Sequence, residues 1–145
     1  MATITFHELN LVARDIEATL AFYRRLGLEI PDDALWRTPS GVHHVKITLG
    51  GAHGFALDSE PLASAYNAGY ADTGEARTVI SFRLDSRDAV DATYAELTGA
   101  GARGLQEPYD VFWGARYAIV EDPDGRHVGF MSPSDPARRT APPKL

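Results

Sequence analysis

The side chains able to carry acid–base or metal chemistry fall into three short stretches of this chain of 145 residues. His7-Glu8 lies in ITFHELNLV, His43-His44 opens VHHVKITL, and His127 follows the turn sequence Asp122-Pro123-Asp124-Gly125. Carboxylates and imidazoles are the side chains that can ligate a divalent cation in a chain without cysteine. A lone carboxylate in a cleft of low polarity is also a candidate general base, because burial raises its pKa, and Glu8 fits that description. No cysteine occurs, which excludes disulfides, thiolate metal sites and cysteine nucleophiles. No paired nucleophile and base stands out, so no residue is assigned a catalytic role.

Strand alternation decides which of these groups share a face. Residues 3–13 put Phe6, Glu8, Asn10 and Val12 on one side, with Leu9, Leu11, Ala13 and His7 on the other. In residues 43–49, His44, Lys46 and Thr48 face the same way, and Val45, Ile47 and Leu49 face helices. Ala56, Asp58, Val79, Ser81 and Arg83 fall on the matching side of their strands. After the Asp-Pro-Asp-Gly turn, His127, Gly129 and Met131 alternate with Val128 and Phe130, while the arm from Arg116 to Val120 is apolar on both faces. Asp122 and Asp124 read as turn residues whose side chains bond the turn backbone.

The elements that must position these groups repeat. Residues 3–58 read as strand, helix, strand and strand, with Asp15 as helix N-cap, Ile16, Leu20, Tyr23 and Leu26 at helical spacing, Gly27 as the stop, and an extra short strand near residues 35–37. Gly50-Gly51 turns the chain between two strands. Residues 59–76 are small and polar and read as a linker with one helical turn. Tyr66 and Tyr70 in that linker are candidates to cover the cleft. Residues 77–133 restart the pattern with a strand at 78–85 and a helix from Asp88 to Leu97 ending at Gly99 and Gly101. Glu17-Ala18-Thr19-Leu20-Ala21 echoes Asp91-Ala92-Thr93-Tyr94-Ala95. The segment 134–145, rich in proline and polar residues, is expected to be flexible, to fray or to drape over a partner.

The LAFYRRLGLE helix end, the DATYAEL helix and the terminal WGARYAIVEDPDG hairpin, in this order, resemble the vicinal oxygen chelate superfamily of glyoxalases, extradiol dioxygenases and bleomycin or mitomycin resistance proteins. The resemblance covers residues 4–133. It implies an α+β fold in which two tandem βαβββ modules form curved sheets around a cleft, within one domain of residues 1–133, often as a homodimer. Laid on this chain, the family's metal-ligand positions fall on Glu8, Ala56, Val79 and Gly129, so a single ligand type survives and the metal site reads as lost. No cofactor follows.

The resemblance is nearest to the resistance branch, and closest to the mitomycin- and bleomycin-binding proteins, through Glu29-Ile30-Pro31, the run from Trp113 to Gly125 and a strand histidine at His44. It implies that a planar aromatic molecule is stacked by Trp113 and His44, with Tyr109 and Phe112 on the preceding loop. Phe6, Glu8, Asn10, Lys46, His127 and Met131 complete the expected ligand-binding set. The leading expectation is non-catalytic sequestration of such a molecule, an antibiotic-resistance type of function. The alternatives are an enzyme whose metal ligands have moved to Glu8, His44 and His127, and a metal-free isomerase or cyclase using Glu8.

Charge narrows the partners. A formal net charge of −6 argues against a nucleic-acid groove or a polybasic membrane contact, and no stretch approaches the roughly 20 apolar residues of a membrane span. A small molecule and a cytoplasmic location are the expectations. Glu8 in the cleft is expected either to receive a cationic or hydrogen-bonding part of the guest or to pair with Lys46 or Arg83. An acidic protein with a cleft glutamate is expected to prefer a neutral or cationic guest.

Overall fold

The computed structural model describes residues 2–26, 28–49, 54–73, 78–121 and 125–145. Along the chain run β1 (Ile4–Ala13), α1 (Ile16–Leu26), β2 (Trp36–Thr38), β3 (Gly41–Thr48), β4 (Gly54–Ser59), α2 (Glu60–Tyr66) and α3 (Ala68–Thr73). They are followed by β5 (Thr78–Leu84), α4 (Arg87–Gly99), β6 (Gly104–Asp110), β7 (Arg116–Glu121) and β8 (His127–Met131). The expected stop at Gly27, the Gly50-Gly51 turn and the Asp122-Pro123-Asp124 turn lie outside the described residues.

All eight strands join one curved, open sheet in the order β2-β3-β4-β1-β5-β8-β7-β6. The two halves repeat one connectivity. β1 pairs parallel with β4, and β5 pairs parallel with β8. Parallel neighbours require a crossover, and in each half the intervening helix lies on the outer face of the sheet. β1 and β5 join the halves as antiparallel partners.

Helix capping and apolar spacing account for the crossovers. The Asp15 side chain accepts from the Ala18 N–H at 2.9 Å, which caps α1 as its sequence predicts. Ile16 and Leu20 then bury against Val45, Ile47 and Leu57, with Tyr23 and Leu11 at the margin. Ser86 caps α4, and Val90 packs on Ala118, Val120 and Phe130. Leu49, expected under a helix, is 49% exposed because β3 ends at Thr48.

The inner face is filled from a source that composition hid. The stretch expected as a linker forms α2 and α3. Ser59 caps α2 by accepting from the Leu62 N–H, with Pro61 in the first turn, where its missing N–H costs nothing. Leu62, Ala63, Tyr66 and Tyr70 then bury with Val12, Val79, Tyr117 and Ile119. Residues 134–145, for which composition gives an expectation of fraying, follow a defined path across the same face. Thr140 N–H donates to Phe112 O at 2.9 Å, Asp135 N–H donates to Gly114 O at 3.0 Å, and Leu145 packs on the inner cluster.

β1 departs from simple alternation. Its pairing with β5 shifts between Phe6 and Glu8, so that Phe6 pairs with Phe82 and Glu8 with Ser81, leaving His7 as the extra residue of a bulge. Phe6 is thereby turned to the outer face. It meets Phe82 edge-on at 6.4 Å and is 58% exposed.

Gly129 lies close beneath a neighbouring side chain, since a Cβ there would lie 2.4 Å from the Tyr117 hydroxyl. The Tyr117 ring is buried between Tyr66 and Trp113, so an added methyl group must push it out of that packing. Gly129→Ala is expected to destabilise the fold by about 1–3 kcal/mol in chemical denaturation, and an unchanged midpoint would show that the ring is not confined there.

Candidate functional site

The curved sheet encloses a cavity of about 590 Å³, within the size range of small-molecule sites. Its walls are of two kinds. Trp36 from β2, Tyr66 from α2, Phe112 and Trp113 from the loop before β7, and Tyr117 from β7 supply aromatic faces. Their rings are mutually locked: Trp113 meets Phe112 at 5.0 Å, Tyr117 at 5.8 Å and Tyr66 at 6.5 Å, all edge-on, and Trp36 lies 5.9 Å from Phe112. Such interlocked rings hold a preformed aromatic surface.

The polar wall comes from the central strands. Asp58 on β4 is 1% exposed, yet its carboxylate borders the cavity. It accepts from Tyr66 OH at 2.8 Å and Asn10 Nδ2 at 3.0 Å, and it lies 2.6 Å from His44 Nδ1. Ser81 Oγ in turn donates to Asn10 Oδ1 at 3.2 Å. A buried carboxylate is tolerable only when so surrounded by donors. Burial alone would lower the His44 pKa, but the hydrogen bond and charge of Asp58, helped by Glu8, outweigh it and hold the imidazole above its ordinary 6.5. The Tyr66 phenol is pushed well up by burial and by the Asp58 charge, so it remains a donor.

Along β1, Glu8 Oε2 lies 3.7 Å from Lys46 Nζ and Glu8 Oε1 lies 3.7 Å from His7 Nε2. Lys46 is one of the two partners the sequence offered for Glu8, Arg83 being the other. His7, expected on the opposite face, lines the cavity because the bulge turns it inward.

Trp113, His44, Glu8, Asn10, Lys46, Phe112 and Met131 of the expected ligand-binding set line the cavity together. Phe6, Tyr109 and His127 do not. The bulge carries Phe6 outward. Tyr109 turns from the cavity to donate its hydroxyl to Tyr66 O at 3.3 Å, and burial pushes its phenol up to about 12. His127 does fall on the inner face, but Asn67, between α2 and α3, roofs it over, with Nδ2 2.8 Å from His127 Nδ1, and leaves the imidazole 2% exposed. Glu8, His44 and His127 therefore do not converge. Among the described residues no group of three or more His, Asp or Glu side chains gathers closely enough to hold a metal ion.

Trp36, Leu62, Tyr117 and residues 132–134 with Pro142 join the lining without having been singled out. A signal existed for Leu62 and Tyr66, since Ser-Glu-Pro followed by apolar residues at helical spacing announces a capped helix. Tyr117 was legible only as one residue of an arm apolar on both faces.

An eight-stranded sheet of two like-connected halves wrapped around a small-molecule cavity defines a class of proteins, and the chain matches one family within it. It belongs to the Glyoxalase/Bleomycin resistance protein/Dioxygenase superfamily, whose family model matches residues 5–130. Solved structures agree on the fold. A Mn(II)-bound glyoxalase from Novosphingobium aromaticivorans matches at TM-score 0.60 and 21% identity, covering all of this chain and 43% of that one. A superfamily member from Vibrio splendidus 12B01 matches at TM-score 0.56 and 16% identity over 92% of this chain and 100% of that one. A homoprotocatechuate 2,3-dioxygenase variant from B. fuscum matches at TM-score 0.56 and 16% identity over 93% of this chain and 36% of that one. No curated protein matches the chain.

The Asp58–His44 contact makes a measurable prediction. Because the folded pKa of His44 lies above its unfolded value, its protonation stabilises the fold fully below about pH 6.5, and that contribution is lost as pH rises through the higher folded value. Histidine titration by NMR is expected to place His44 above His7 and His127, whose pKa values burial lowers. In Asp58→Asn the His44 value is expected to drop; an unmoved titration would mean that Asp58 does not set it.

Proposed function

We propose that this protein binds and sequesters a planar aromatic small molecule in the cavity between its two modules. The observation that carries the reading is the lining itself: five aromatic side chains form one wall, and spaced polar groups face them. A flat ring system fits such a wall by stacking, and the polar groups fix its orientation. Trp113 and His44 are the planes between which we place the guest, with Phe112 and Met131 beside them. Trp36, Tyr66 and Tyr117 extend that surface.

The residues able to do chemistry support binding over turnover. Glu8, the candidate base, is shared between Lys46 and His7, and a metal centre built from Glu8, His44 and His127 would need His127 to leave its contact with Asn67. The family resemblance extends the proposal to a cytoplasmic homodimer of the antibiotic-resistance type, nearest in kind to the bleomycin- and mitomycin-binding proteins.

Both tryptophans of the chain, Trp36 and Trp113, line the cavity, so intrinsic fluorescence reports on it directly. Titration with planar polycyclic antibiotics is expected to give saturable quenching, and Trp113→Ala is expected to weaken binding about tenfold or more, as for a buried aromatic anchor. Elemental analysis of the unchelated protein is the companion measurement. Near-stoichiometric metal, or turnover of a bound compound, would overturn sequestration in favour of an enzyme.

A further inference from the structure

The charges around the cavity are unevenly placed. Arg83 Nη2 lies 3.3 Å from His7 Nδ1, His7 Nε2 lies 3.7 Å from Glu8 Oε1, and Glu8 Oε2 lies 3.7 Å from Lys46 Nζ. This row contains two permanent cations, Arg83 and Lys46, and one carboxylate. His7 adds no counter-charge. A ring nitrogen facing a guanidinium must act as acceptor, and burial, with Arg83 and Lys46 nearby, outweighs Glu8 and keeps the imidazole pKa below its usual value. Asp58, the other carboxylate of the lining, is taken up by His44, Tyr66 and Asn10.

The imbalance is not a shortage of acids, because the protein has 20 Asp and Glu against 14 Lys and Arg. Elsewhere arginines find them: Arg24, Arg37, Arg87, Arg103, Arg116 and Arg138 each pair with a carboxylate. Arg83, exposed and lining the cavity, contacts no carboxylate among the described residues. A guanidinium offers five N–H donors in a planar fork suited to a carboxylate, and here one of its nitrogens meets an imidazole.

We infer that the guest of this cavity is an aromatic anion, its carboxylate or comparable acidic group seated on the free donors of Arg83 while its ring lies against the aromatic wall. The inference rests on the ring-binding reading above and reverses the preference for a neutral or cationic guest that net charge suggests. Along this row the local field is set by Arg83 and Lys46 against Glu8, with Asp58 held against His44, and the more remote surface acids are screened.

The test is isothermal titration calorimetry with three isosteric probes, 2-naphthoate, 2-naphthamide and 2-naphthylmethylammonium. The acid is expected to bind about fivefold more tightly than the amide, the scale of one partly exposed ion pair, and the ammonium compound most weakly. In Arg83→Gln the acid-to-amide ratio is expected to fall near one, and Arg83→Lys is expected to keep part of the preference; circular dichroism checks that both variants fold. An amide or ammonium probe that binds as well as the acid overturns the inference while ring binding stands. A preference for the acid that survives in Arg83→Gln overturns the role of Arg83. If none of the three probes binds, the ring-binding reading fails and the inference with it.

Discussion

A carboxylate that is 1% exposed organises the inner face of this protein. Removing such a charge from water costs several kcal/mol, and only donors already in place offset that cost. Asp58 has His44 from β3, Asn10 from β1 and Tyr66 from α2, so its burial ties three separate elements to β4. The same contact that fixes α2 over the sheet also aims His44 at the cavity. Tyr66 serves twice, since its hydroxyl reaches Asp58 while its ring meets Trp113 and Tyr117 edge-on. The polar and aromatic walls are therefore coupled through one side chain, and loosening either loosens both.

The second constraint is the bulge in β1. Alternation would turn Phe6 and Glu8 inward and His7 outward, whereas the inserted residue sends Phe6 out and lets two consecutive residues, His7 and Glu8, border the cavity. That is how a carboxylate comes to stand between an imidazole and Lys46, with Arg83 beyond. Without the bulge Phe6 would point inward, and the polar row along β1 would lose its link to Arg83.

How much of this could be read from the residues follows from range. Strand alternation and cap residues are local, so the repeated halves, the Asp15 cap, the inward aim of His44, Lys46, Asn10 and Met131, and the split of the 116–120 arm between two faces all emerged from spacing alone. Whatever depends on a partner distant in sequence did not. The bulge is set by pairing with β5, the burial of His127 by Asn67 sixty residues away, and the turn of Tyr109 by the carbonyl of Tyr66. Composition hid α2, because small and polar residues that cannot form a core by themselves can still cover one that the sheet supplies.

Duplication explains the shape, and departure from it explains the site. Two halves of identical connectivity would make a symmetric trough open at both ends, with equivalent positions on each side of the β1–β5 seam. The insertions between and after the halves break that symmetry. α2 and α3 close one part of the inner face over Val79 and His127, while residues 132–134 and Pro142 line what remains open. Gly114 makes the second closure feasible: with φ +92 and with a Cβ there falling 2.3 Å from Asp135 O, the chain before β7 can lie flat against the returning segment only as glycine. The aromatic residues then gather where these insertions meet the sheet, while Glu8, Lys46 and Arg83 line the part of the cavity formed by the strands. A cavity of opposed character is thus what a duplicated sheet becomes once each end is closed by a different segment.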